Sequence, residues 1–118
     1  MLVKNIIFPT SLEKIEDIKN DNIDIFVELE NGWTYTMVVA TPLNLLSLMK
    51  KDSKDFLNPS GPFIIVSKLT KDIIHRAIKE YAQNDAYWLK VYYLSTEFDI
   101  GTLDKMDKAI REEYDDYE

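Results

Sequence analysis

The chain has 118 residues, 46% of them apolar and 30% charged, which suits one globular domain with one core and excludes wholesale disorder. It has no cysteine, so disulfides, thiolate metal sites and cysteine nucleophiles are excluded together, in agreement with a reducing compartment. A net charge of −7 sets nucleic-acid binding at a disadvantage, because phosphate neutralisation needs clustered lysine and arginine.

The opening residues 1–10 are too short for the apolar core of a signal peptide, and no later run approaches a membrane span; a cytoplasmic protein is expected. Leu2, Val3, Ile6, Ile7 and Phe8 read as a short strand closed by Pro9. Thr10 and Glu13 have capping-box spacing, and Leu12, Ile15 and Ile18 recur at helical intervals, so a short helix is expected from Ser11 to about Lys19. The Asn31-Gly32 dipeptide between two β-rich runs predicts a hairpin with a two-residue type I′ turn. That turn pairs Glu30 with Trp33, Glu28 with Tyr35 and Phe26 with Met37. One hairpin face then carries Ile23, Ile25, Val27 and Leu29 with Thr34, Thr36, Val38 and Ala40, and reads as core. The other carries Asp24, Phe26, Glu28 and Glu30 with Trp33, Tyr35, Met37 and Val39.

Thr41-Pro42 has the form of an N-cap and first helical residue, opening a helix to about Lys51. A loop punctuated by Pro59, Gly61 and Pro62 leads to Phe63-Ile64-Ile65-Val66, which reads as a central strand covered on both faces. Thr70 caps a helix whose stripe is Ile73, Ile74, Ala77, Ile78 and Tyr81. Residues 86–95 fit either period poorly; Tyr87, Lys90, Tyr93 and Leu94 share a helical stripe that Asp85 can cap, which favours helix over strand. Gly101-Thr102 opens a last helix carrying Leu103, Met106 and Ile110, and the acidic residues 112–118 are expected to fray. The expected fold is α+β: a single domain over 1–118, an antiparallel-rich sheet of about four strands with a central hairpin, and helices mainly on one face.

Chemistry is sparse. Three glycines cannot assemble a phosphate-cradling loop, and no serine sits in a nucleophile elbow. The single histidine, His75, lies one step off its helix's apolar stripe and reads as a surface residue. Asp24, Glu28 and Glu30 share one hairpin face, but nothing forces them to converge on a metal or a glycosidic bond, and a solvated strand face is the plainer reading. No catalytic residue, metal site or cofactor is expected.

The acids are segregated: seven against two bases from Thr10 to Glu30, and nine against three from Glu97 to Glu118. Trp33 and Tyr35 beside Asp24, Glu28 and Glu30 would form an aromatic patch rimmed by carboxylates, unless a helix covers that face. Tyr87 and Trp88, with Tyr92 and Tyr93, form a cluster too dense for all of it to point inward from one short helix. These seven residues, Asp24, Glu28, Glu30, Trp33, Tyr35, Tyr87 and Trp88, are the candidate partner-binding set. The partner is another protein of basic character, or a second copy of the chain.

A small, acidic, cysteine-free α+β domain with an aromatic hairpin resembles the immunity proteins of bacterial polymorphic toxin systems. The stretch from Asp24 through Trp33, Thr41-Pro42 and Asn44, Pro62 to Val66, and Asp85-Ala86-Tyr87-Trp88 also resembles a family of bacterial proteins with no established activity. The first resemblance implies capture of a basic nuclease or similar toxin in the producing cell's cytoplasm, and it carries over no functional residue. An acidic inhibitor gains association rate from long-range attraction to such a target.

Overall fold

The structure, a computed structural model, describes residues 2–115. Its sheet is built from β1 (Val3–Ile7), β2 (Asn22–Leu29), β3 (Thr34–Ala40) and β4 (Ile64–Ile65), in that spatial order. The first three strands are antiparallel neighbours, and β4 lies parallel to β3 after a crossover through α1 (Pro42–Lys51). Three helices follow: α2 (Lys71–Tyr81), α3 (Gln83–Ser95) and α4 (Ile100–Asp115). The α+β class, the mostly antiparallel four-stranded sheet and its central hairpin are as the sequence implies.

The hairpin register is not the expected one. Glu28 pairs with Thr34, Val27 with Tyr35 and Ile25 with Met37, a slip of one residue. The loop is Glu30-Asn31-Gly32, closed by the Leu29 N–H donating to the Trp33 carbonyl at 2.8 Å, with Gly32 at φ +89°. This is the three-residue hairpin geometry with glycine in the left-handed position, in place of the two-residue type I′ turn. The physical reason is burial. Because side chains alternate, the slip moves Tyr35, Met37 and Val39 onto the face of Ile23, Ile25, Val27 and Leu29, and all seven become core. Thr34 and Thr36, expected inside, are exposed on the opposite face, and Val38 is partly covered there. The two-residue turn would have buried threonines and left a tyrosine and a methionine in water.

Ile64 of β4 joins that core face with Val66 and Leu69 of the following loop, Ile74 and Ile78 of α2, and Ala86 and Leu89 of α3. Thus α2 and α3 cover one side of the sheet. Phe63 to Val66 is not a central strand: only Ile64–Ile65 pair, at the sheet edge, and Ile65 is exposed. The Ser11 to Lys19 helix shrinks to one 3-10 turn, Leu12–Lys14, capped by the Ser11 hydroxyl rather than Thr10. Its Leu12, Ile15 and Ile18 still pack against the core, as irregular chain.

The helix starts follow their capping residues. The Thr41 hydroxyl accepts from the Asn44 N–H at 3.3 Å, and the Thr70 hydroxyl accepts from the Ile73 N–H at 3.3 Å. Thr41 is fully buried, and its hydroxyl also donates to the Asp21 carbonyl, which ties the start of α1 to the start of β2. Residues 87–95 are helical, but Asp85 does not cap them. Asn84, Asp85 and Ala86 all have left-handed backbone, with φ of 55°, 59° and 62°, and form the corner between α2 and α3. Residues 112–115, expected to fray, continue α4; the rest of that segment lies outside the described residues.

Candidate functional site

The register slip takes the expected site apart. Asp24 and Glu28 lie on the open face of β2, four residues and so about 13 Å apart. Phe26 stands between them, beside Ile7 of β1. Glu28 is partly covered, with the Lys4 ammonium 3.9 Å from its carboxylate, and Glu30 accepts a hydrogen bond from the Leu2 N–H at 3.0 Å. Tyr35 is not on this surface at all. It is 8% exposed and stacks on Tyr93 of α3, with centroids 4.5 Å apart and planes at 14°. Its expected role in partner binding is therefore corrected: the ring is part of the core that seats α3 on β3. Trp33, just before β3, is 67% exposed. The patch of aromatics rimmed by Asp24, Glu28 and Glu30 does not form.

A different surface does form, on α3 and α4. Residues 87–94 of α3 read Tyr-Trp-Leu-Lys-Val-Tyr-Tyr-Leu, apolar nearly all round. One side seats Leu89 and Tyr93 on the sheet, while Tyr87, Trp88 (51% exposed), Val91 and Leu94 face out. The rings touch in sequence: Tyr87 against Trp88 at 5.2 Å, Trp88 against Tyr92 at 6.3 Å and Tyr92 against Tyr81 at 5.4 Å, each nearly perpendicular. Burial, and then the neighbouring Tyr92 hydroxyl, raise the Tyr81 phenol above its usual pKa. A helix without a polar face is ordinarily enclosed, and this one is covered on one side only.

α4 repeats the pattern more starkly. Asp99 accepts from the Thr102 N–H at 2.7 Å and so caps the helix, and this backbone hydrogen bond, the largest cause, lowers the Asp99 pKa. Ile100, Leu103, Met106, Ile110 and Tyr114 then recur at helical spacing on one side. Every residue from Gly101 to Asp115 is exposed, so no part of this stripe is buried among the described residues. The projection of α4 is visible in the dimensions. The radius of gyration is 17.0 Å and the longest extent 56 Å, where a compact domain of this length has a radius of about 13–14 Å. Asp107 and Arg111 flank the stripe as an ion pair at 3.1 Å, and Asp104, Glu112, Glu113 and Asp115 leave α4 net acidic.

Of the sequence candidates, then, Trp33, Tyr87 and Trp88 are exposed, and the last two touch. Asp24, Glu28 and Glu30 stay at the hairpin, and Tyr35 is internal. The α4 stripe was visible in sequence as periodicity, but that signal cannot tell a covered stripe from a bare one. Among the described residues no group of three or more histidine, aspartate or glutamate side chains is arranged to hold a metal ion, and no helix is long and apolar enough to cross a membrane. Comparison of the chain with protein-family models, curated proteins and solved structures gives no match in any of the three.

Proposed function

We propose that this chain is a non-catalytic protein-binding module, most specifically an immunity-type inhibitor that captures a basic toxin in the cytoplasm. The observation that supports it is the pair of exposed apolar stripes, Tyr87, Trp88, Val91 and Leu94 on α3 and Ile100 to Tyr114 on α4, with carboxylates beside the second. Nine large apolar or aromatic side chains on these two helices are exposed, each more than a third of its surface. Aromatic and aliphatic anchors supply the affinity of an interface, and the acids around them favour a basic partner and speed its capture. An amphipathic helix presented alone is suited to a hydrophobic groove, read through anchors at helical spacing.

A second reading has support of its own: the outward stripes of α3 and α4 are both apolar and joined by only residues 96–99, so two copies could exchange α4 and each cover the other's α3. Repulsion between two copies of charge −7 opposes that arrangement. The experiment is capture from native lysate at low and high salt, with the unaltered chain and with a Leu103→Asp/Ile110→Asp variant. A stoichiometric basic protein that is inhibited on binding, and is lost with the variant, supports the inhibitor. Recovery of the bait alone, with dimers in sedimentation that the variant abolishes, replaces it with the homodimer.

A further inference from the structure

The edge strand β1 and helix α2 enclose a groove of about 700 Å³ on the other side of the molecule's charge balance. Five consecutive residues of β1 and its lead-in, Leu2 to Ile6, line it. Successive side chains of a strand point to opposite faces, so a groove lined by all five follows the strand's edge rather than either face. The opposite wall is one side of α2: Asp72, His75, Arg76 and Lys79, spaced three and four apart, with the fully buried Ile78 contributing beneath them. Among the described residues β1 pairs with β2 alone, which leaves its other edge unpaired where it lines this groove.

The rim of this groove gathers cations on an acidic chain. Lys4, Arg76 and Lys79 stand there with His75, against Asp72 and Asp85. Both acids are already engaged, Asp72 by Arg76 at 3.0 Å and Asp85 by Lys90 at 3.1 Å, while among the described residues no ion pair holds Lys79 or His75. His75 instead lies against the Phe8 ring, with centroids 6.2 Å apart, at the far end of β1. A bulge in β1 falls between Val3 and Asn5, and the Lys4 ammonium lies 3.9 Å from the Glu28 carboxylate, a partly exposed pair that a carboxylate of the occupant would share.

We propose that this groove is a second docking site, which takes an extended acidic peptide segment as an added strand along β1. Main-chain hydrogen bonds to the β1 edge supply the register, and Lys4, Arg76 and Lys79 select carboxylates over ammonium groups. None of the outward apolar residues of α3 and α4 lines this groove, and its occupant is opposite in charge to the toxin proposed for them.

The test is fluorescence anisotropy with the full chain and a labelled synthetic peptide alternating glutamate with valine, compared with one alternating lysine with valine. The glutamate peptide binds and the lysine peptide does not; Arg76→Glu/Lys79→Glu, both exposed positions, weakens binding by at least about tenfold while leaving the urea midpoint in place. Methylating alternate backbone nitrogens of the peptide distinguishes strand addition from simple charge attraction. One set of methyl groups abolishes binding and the offset set leaves it, because only alternate amides face the edge. Equal binding of the two charge types, equal binding of both methylated sets, or no binding of the glutamate peptide at millimolar concentration would overturn the proposal.

Discussion

Replacing Tyr35 by alanine tests the hairpin register, and with it the reason the expected site comes apart. Tyr35 is 92% removed from solvent and stacked on Tyr93. Deleting its ring removes about 150 Å² of buried surface, worth roughly 4 kcal/mol at 25 cal/mol/Å² before relaxation. The aromatic pair adds about 1 kcal/mol, and partial collapse around Leu89 and Met37 takes some of it back, so a loss of about 3–5 kcal/mol is expected. Thr36→Ala, one residue along on the open face, should change stability by less than about 0.5 kcal/mol. Urea unfolding followed by far-ultraviolet circular dichroism measures both, with the slope checked for constancy. If Thr36→Ala costs more than Tyr35→Ala, the strand is in the two-residue register, and Tyr35 returns to the surface beside Glu28.

Three further outcomes follow from the same geometry. Ser53 ends α1 with φ 54°, and the Ser53 and Lys54 N–H groups donate back to the Lys50 and Met49 carbonyls, the Schellman pattern that favours glycine. Ser53→Gly should therefore stabilise by about 1 kcal/mol and raise the calorimetric Tm by about 4 °C; no gain would mean that α1 does not end this way. Leu103→Asp/Ile110→Asp alters exposed apolar groups, so thermal stability of the isolated chain should change by less than about 1 kcal/mol. A large loss would show that α4 is covered in solution. Asp99 has a lowered pKa, because the hydrogen bond from the Thr102 N–H favours its charged form. Its support of α4 is accordingly complete above the unfolded aspartate value and is lost as pH falls through the lower folded one. Carbon-13 shifts of Thr102 and Leu103 should drift toward coil only below about pH 4, and Asp99→Asn should flatten that titration; a drift near neutral pH would assign the cap elsewhere.

Local chemistry alone determined a good deal here. Thr41 with Pro42, and Thr70, mark their helix starts because a hydroxyl placed three residues before an unpaired N–H is a short-range fact. The Asn31-Gly32 pair locates the hairpin, and the alternation of Ile23, Ile25, Val27 and Leu29 identifies the buried side of β2, because a strand's period is fixed by its own backbone. The register was legible too, in the matching alternation of Tyr35, Met37 and Val39, but it was hidden by the strength of the asparagine-glycine turn signal. What sequence leaves open is everything that depends on which surface meets which. Whether the Leu103 to Ile110 stripe is covered, and whether Tyr93 or water lies over Tyr35, is decided by packing between residues far apart in the chain. So is the meeting of Lys4 with Arg76 across the β1–α2 groove, residues more than seventy positions apart, for which no spacing in the sequence gives a sign. Helical periodicity says that a face is apolar; only the tertiary arrangement says whether the protein itself has used it.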